Sequence, residues 1–181
     1  MGKIKDRITS KQQDFIKKQH MFFVATAPDE EHGRINLSPK GLDCFRVLSA
    51  NKVAYLDMTG SGNETAAHIA QNGRITFMFC GFEGAPNILR LYGHAKVLLP
   101  GSSEWDELID QFELLPGARQ IFHAEITGTQ DSCGFGIPVY SHVEGRTQLT
   151  TWANTMGPEK LEAYRAEKNK RSIDGLPAPG H

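Results

Sequence analysis

Ile75-Thr-Phe-Met-Phe-Cys80 and, a short turn later, Ile88-Leu-Arg-Leu-Tyr-Gly-His-Ala-Lys-Val-Leu98 decide how this chain folds. In the first run Ile75, Phe77 and Phe79 alternate with Thr76, Met78 and Cys80. In the second, Leu89, Leu91, Ala95 and Val97 face one way, and Arg90, Tyr92, His94 and Lys96 the other. A period of two marks strands with one face on a core. The connection is too short for the crossover of a dozen or more residues that parallel strands require, so the pair reads as antiparallel.

The same signals recur outward from this pair. Met21-Phe-Phe-Val-Ala-Thr-Ala27 is a β-rich run ended by the turn chemistry of Pro28–Gly33, and Arg34-Ile-Asn-Leu-Ser38 resumes as a strand, which predicts a hairpin. Phe45-Arg-Val-Leu48, Val53–Met58 and Gln120–Thr129 are further strands. Ser10 and Gln13 read as a capping box opening a helix to about Lys18. Ala66, Ala67, Ile69 and Ala70 predict a short helix with Gly73 as its C-cap. Trp105, Leu108, Ile109, Phe112 and Leu115 form a stripe on a helix from Ser103 to the Pro116-Gly117 stop. A last helix is predicted from Pro158 to about Lys168, before a Pro-rich tail. Trp105 reads as core, and Trp152 as packing or as an aromatic lid. Six or seven closely spaced strands with peripheral helices make a mainly β protein, best closed as an antiparallel barrel that hides its edges. Neither a repeat nor a linker divides the 181 residues, so one domain is expected, with the barrel over about 20–137 and an extension over 138–181.

Composition excludes several classes of partner. Lys plus Arg (20) nearly cancel Asp plus Glu (21), and no basic stripe is interleaved with aromatics, which argues against nucleic acid. No apolar run is long enough to cross a bilayer, and no apolar segment follows the charged start as in a secretory signal. Gly2 invites a myristoylation reading, but Asp6 stands where Ser or Thr is required. The cysteines Cys44, Cys80 and Cys133 are odd in number and far apart, with no CxxC pair, so a cytoplasmic protein with reduced thiols is expected. The histidines form no HxH or HxxxH pair, and no metal is expected.

The stretch that carries chemistry is Asp57-Met-Thr-Gly-Ser-Gly-Asn-Glu-Thr-Ala-Ala-His-Ile69. A strand feeds a Gly-rich turn, and the turn feeds a helix N-terminus, where free N–H groups and the helix dipole suit an anion. Thr59, Ser61, Asn63 and Thr65 add neutral donors. The alternative is a plain capping box, Ser61-x-x-Glu64, on a tight turn. It is neither a P-loop, lacking Gly-Lys-Ser/Thr, nor a dinucleotide fingerprint, lacking a parallel βαβ context. In Asn36-Leu-Ser-Pro-Lys-Gly41, alternation puts Asn36 and Ser38 on one face. Pro39 is expected to end regular pairing just before Lys40, whose ammonium is either solvated or a point charge for a phosphate.

Taken in order, Asn36–Gly41, Val53–Asp57 with its Gly-rich turn and helix, Asn72-Gly-Arg-Ile-Thr-Phe-Met-Phe79 and Leu91-Tyr-Gly-His-Ala-Lys-Val97 resemble the pyridoxamine 5′-phosphate oxidase-like FMN-binding split barrels, over roughly residues 20–137. The resemblance implies FMN as cofactor and a homodimer with the flavin at the subunit interface, acting on an unidentified small molecule. It places Ser38 and Lys40 on the FMN-facing strand, with Asn36 beside them. Tyr55, Leu56 and Asp57 are placed along the ring or ribityl chain through their backbone, and Thr59, Gly62, Asn63, Glu64 and Thr65 at the phosphate. Asn63-Glu64-Thr65 stands where the true oxidases carry a Ser-Arg-Lys clamp, so pyridoxamine phosphate oxidation is not expected. Glu64 is expected to point away and satisfy the backbone, with Lys40 or Arg90 supplying charge. Cys133, Gly134 and Phe135 align with the segment that reaches the partner's flavin, or form a loop after the last strand. Passive flavin binding, or a barrel holding haem (His94 or His142 as axial ligand) or a deazaflavin, are the alternatives to an FMN-dependent oxidoreductase.

Overall fold

The computed structural model describes residues 3–180; Gly2, with its acylation reading, lies outside the described residues, as do Met1 and His181. In chain order the elements are α1 (Ser10–Lys17), β1 (Phe22–Thr26), β2 (Asn36–Lys40), β3 (Phe45–Ser49), β4 (Lys52–Met58), α2 (Glu64–Asn72), β5 (Arg74–Cys80), β6 (Ile88–Leu98), α3 (Ser103–Ile109), β7 (Ala118–Ser132) and α4 (Gln148–Lys168). The seven strands form one sheet in the order β2-β1-β5-β6-β7-β4-β3, and every neighbouring pair is antiparallel. The mainly β, antiparallel reading holds, including the β1–β2 hairpin and the β5–β6 pair.

The sheet is open: β2 and β3 are its two edges, with no hydrogen-bonded ladder between them. Side chains close it instead. Phe22 on β1 meets Phe45 on β3 edge-on at 4.9 Å, and Phe45 meets Phe77 and Phe79 on β5 at 5.3 and 5.1 Å. Tyr55 on β4 bridges Phe77 and, at 4.8 Å, Phe122 on β7. Edge-to-face contacts suit the ring quadrupoles and add to the hydrophobic gain of burial. Ile75, Phe77 and Phe79 are all buried, as the alternation requires.

Several local expectations shift, each for a physical reason. The capping box of α1 is Thr9 with Gln12, one residue earlier than Ser10 with Gln13. Pro39 does not end β2; it sits within it opposite Phe23, because an edge strand has no outer partner needing its N–H. Gly73 caps α2 at φ 72°, in the left-handed region, as predicted. The stripe through Leu115 overstates α3, which stops at Ile109. The Arg46 Nε from β3 takes the carbonyl of Gln111 at 2.7 Å, and its guanidinium lies over the Phe112 ring, so a tertiary contact ends the helix. Conversely, α4 begins ten residues before Pro158. Its two halves are broken at Gly157 (φ 71°, ψ 167°), and Trp152 packs edge-on against Tyr164 across the break. The spacing of Leu149, Trp152, Ala153 and Met156 was the signal for the first half.

The extension runs back over the barrel. Residues 133–147 have no regular element, but the Tyr140 N–H bonds to Phe82 O at 3.0 Å and the two rings stack. Beyond α4 the chain turns on itself, with Ser172 N–H donating to Leu176 O and Ala178 N–H to Lys170 O. Among the described residues no helix is long and apolar enough to cross a membrane.

Phe77, fully buried between the two arms of the sheet, is the most sensitive test of this closure. Phe77→Ala is expected to lower unfolding free energy by about 3–5 kcal/mol. Leu114→Ala, at an exposed position, should stay within about 0.5 kcal/mol. Urea midpoints for both variants check the contrast.

Candidate functional site

The site is built around one buried carboxylate. Asp57, near the end of β4, is 2% exposed. Its Oδ1 accepts from Lys40 Nζ at 2.9 Å; its Oδ2 accepts from Arg119 Nε at 2.8 Å and Gln120 Nε2 at 2.9 Å. Neighbouring residues on a strand normally face opposite sides of a sheet. Here β7 carries a bulge: Asp57 pairs with Gln120 and Met58 with Ala118, leaving Arg119 as the extra residue. The bulge re-aims its side chain, so both Arg119 and Gln120 reach Asp57. Burial alone would raise the Asp57 pKa; the Lys40 and Arg119 charges and the Gln120 amide outweigh it and hold the carboxyl at about 2.

Arg119 carries the network onward. Its Nη1 donates to Asn169 Oδ1 and its Nη2 to Gly62 O, tying the Gly-rich turn to the end of α4. Asn169 Nδ2 donates to Gly60 O, and Gln120 Nε2 to Asn63 Oδ1. Thr59 donates both its N–H and its hydroxyl to Gly117 O. The turn therefore directs carbonyls inward. Asn63 is the N-cap of α2, but its side chain makes no capping bond, and the Ser61-x-x-Glu64 box does not form. Glu64 does not cap its own helix: its carboxylate lies against Gly62, 3.2 Å from where a Cβ would sit, and accepts from the Ile173 N–H in the tail. The tail also places Asp174 on Arg34, so residues 173–174 lie over the start of α2 and β2.

Beside the turn runs a row of hydroxyls and amides. Ser38 Oγ donates to Asn36 Oδ1, and Asn36 Nδ2 donates to Thr65 Oγ1 at 3.0 Å and Thr26 Oγ1 at 3.2 Å. Thr26 Oγ1 lies 3.0 Å from His68 Nδ1. Among the described residues, two buried polar atoms at this end lack a hydrogen-bond partner, His68 Nε2 and the Tyr55 hydroxyl. Burial, and then the Asp57 charge, push the Tyr55 pKa well above the usual phenol value. The Leu56 side chain is core, and its N–H bonds to Cys44 O within the sheet.

The remaining candidates lie elsewhere. Arg90 pairs with Gln130 and donates to Ser132 Oγ, roughly ten positions or 30 Å along β7 from Gln120. Cys133 is exposed and Phe135 is 84% exposed. Gly134 packs on the 86–87 turn so tightly that a Cβ would sit 2.7 Å from Asn87 N. Nearby, α1, residues 82–87 and residues 140–146 enclose a groove of about 1630 Å³. Thus Asn36, Ser38, Lys40, Asp57, Thr59, Gly62, Asn63 and Thr65 come together, while Arg90 and Cys133–Phe135 of the same chain do not. Sequence reading missed Arg119, Gln120, Asn169 and Arg165, whose Nη1 lies 3.4 Å from Thr59 Oγ1. Adjacent Arg119-Gln120 at a strand start was a signal for the first two; nothing local marks Asn169.

The chain is similar to known proteins of one family. The family pattern for pyridoxamine 5′-phosphate oxidase covers residues 8–133. The chain is 38% identical to the pyridoxamine 5′-phosphate oxidase family protein ustO of Aspergillus flavus, over 91% of this chain and 73% of that one. Among solved structures, a single-substitution variant of HupZ from Group A Streptococcus superposes with a TM-score of 0.54 at 20% identity, covering 69% of this chain and 99% of that one. A Lactobacillus delbrueckii protein provisionally assigned as a pyridoxamine 5′-phosphate oxidase gives 0.54 at 17% identity, over 69% and 94%. These two likenesses establish the fold alone.

Two predictions follow from the electrostatics. The depressed Asp57 pKa means its contribution is complete above the unfolded-state value near 4 and is lost as pH falls toward about 2. That is on the order of 2–3 kcal/mol of acid-dependent stability. Asp57→Asn should flatten this acid limb and, by leaving Lys40 and Arg119 unneutralised, destabilise the fold by about 3–5 kcal/mol at neutral pH; urea titrations at several pH values read both. For the thiols, burial pushes Cys44 up to about 12 and raises Cys80. A thiol reagent at pH 8 should label Cys133 at once and the other two only on unfolding.

Proposed function

Since the chain belongs to the pyridoxamine 5′-phosphate oxidase family, we propose that it binds FMN and works as an FMN-dependent oxidoreductase on a small molecule. The observation that carries this reading is the Gly60–Thr65 turn. It delivers the uncapped first turn of α2 next to a set of cations that outnumbers its carboxylates. N–H groups without a side-chain cap and excess positive charge together fit a phosphate monoester. The row Asn36, Ser38 and Thr65, with the unpartnered Tyr55 hydroxyl and His68 Nε2, provides polar groups for the rest of such a ligand.

The fit differs from the oxidase pattern in one respect. The Asn63 side chain is spent on Gln120 and Asn169, and the Glu64 carboxylate on the tail. The phosphate is then held by backbone N–H groups and by arginine or lysine charge, without the clamp of the true oxidases. Pyridoxamine phosphate oxidation is therefore not the activity we assign. When bound, the flavin supplies hydride or electron transfer, and the chain binds and orients it. A homodimer fits the surface: Phe135, Val139 and Val143 are 84%, 79% and 89% exposed beside the groove.

Titration with FMN is expected to quench flavin fluorescence and raise the melting temperature, by about 2.7 kcal/mol of stabilisation at a hundredfold excess over Kd. No quench and no shift at saturating FMN would overturn the assignment. Anaerobic mixing of the holoprotein with NADH or NADPH separates enzyme from passive binder. Bleaching of the flavin supports an oxidoreductase, and an unchanged spectrum with both donors favours a flavin-binding protein without turnover.

A further inference from the structure

Three cations converge where β4 runs into the Gly60–Thr65 turn, and Asp57 is the carboxylate bonded to two of them, Lys40 and Arg119. The third is Arg165, on the second half of α4, whose Nη1 lies 3.4 Å from Thr59 Oγ1. Thr59 already donates its hydroxyl to Gly117 O, so it serves Arg165 only as an acceptor. Among the described residues this is the one hydrogen bond the Arg165 side chain makes, and it forms no ion pair there, although a guanidinium carries five donors. It is half-buried, and both burial and the like charge of Arg119 press its pKa down. Glu162, on its own helix, is the carboxylate that acts on it at a distance. The nearest acidic residue of the turn, Glu64, is committed to Ile173 N.

The two faces of the turn differ. Inside, the carbonyls of Gly60 and Gly62 are taken by Asn169 and Arg119. Outside, Ser61 is exposed and both glycines are half-buried; the Glu64 carboxylate lies beside Gly62, 3.2 Å from where a Cβ would sit, so a ligand reaches the backbone at Gly60 and Ser61. Arg119 bonds to Asp57, Asn169 and Gly62 through all three of its nitrogens and is 7% exposed; it positions the turn and adds charge from behind.

We propose that Arg165, backed by Arg119, is the anion clamp of this chain, receiving a phosphate monoester dianion at the outer face of the Gly60–Gly62 turn. The inference rests on the FMN reading above and deepens it: the charge absent from Asn63-Glu64-Thr65 comes from the C-terminal extension. With Asp57 and Glu64 both counted, Lys40, Arg119 and Arg165 leave one cation in excess at the turn, so a phosphate meets net positive charge there. The clamp discriminates FMN from riboflavin, which share a ring system and differ in the phosphate.

The test measures FMN and riboflavin affinity by fluorescence quenching for the full chain and for Arg165→Gln and Arg165→Lys, with melting temperatures confirming that each variant folds. Loss of one charge-assisted contact should weaken FMN about 10- to 100-fold in Arg165→Gln, leave riboflavin unchanged, and be partly restored in Arg165→Lys. Equal FMN affinity in wild type and Arg165→Gln, or a parallel loss of riboflavin, overturns the clamp while leaving the FMN assignment standing. If wild type binds no FMN, that assignment falls and inorganic phosphate decides the clamp. A melting-temperature rise with phosphate in wild type but not in Arg165→Gln supports it, and the same response in both overturns it.

Discussion

A carboxylate 2% exposed is tolerated in this protein because three donors meet it, and most of the site depends on that compensation. Burying a lone charge costs several kcal/mol, and truncating one partner of such a pair leaves the other stranded. Asp57 joins β2 to β4 across the split in the sheet, through Lys40, and β4 to β7 within the ladder, through Arg119 and Gln120. From the same guanidinium the connection passes to Gly62 and Asn169, so the turn, the start of α2 and the end of α4 are held by one network.

The split is closed by two unlike devices. On the core side, Phe22, Phe45, Phe77 and Phe79 interlock across the gap that no backbone ladder spans. On the polar side, the Lys40–Asp57 pair spans it. The extension then lies across this polar end: Asn169 enters beneath the turn, and Ile173 and Asp174 pass over Glu64 and Arg34. The tail thus covers its own chain's turn, with most of its polar contacts near solvent, where hydrogen bonds and ion pairs contribute little to stability.

Family membership and chemistry point the same way at this end of the barrel. The positive charge beside the turn sits on β2, β7 and α4, and none of it on the start of α2. Asn63 and Glu64 have become structural, one facing Gln120 and the other the tail. The anion proposed for the turn would meet backbone N–H groups and charge density, neither of which requires a given residue at a given motif position.

Much of the fold was legible in the chain alone. The alternation of Ile75–Phe79 and Leu89–Leu91, the hairpin before Gly33 and the Gly73 cap each follow from local sterics and from which face must be buried. The Gly-rich turn was legible too. What local pattern left out were contacts between residues distant in sequence. Arg46 capturing Gln111 O shortens α3, against the reading of its stripe. A bulge in β7 turns Arg119 onto Asp57, against the strict alternation of a strand. Asn169 and Arg165 reach the turn from more than a hundred residues away. The amino-acid sequence by itself determined the strands, their antiparallel pairing and a turn suited to an anion, because periodicity and turn chemistry act over a few residues. Only the tertiary structure decided which charges stand beside that turn, because electrostatic partners are chosen by proximity in space.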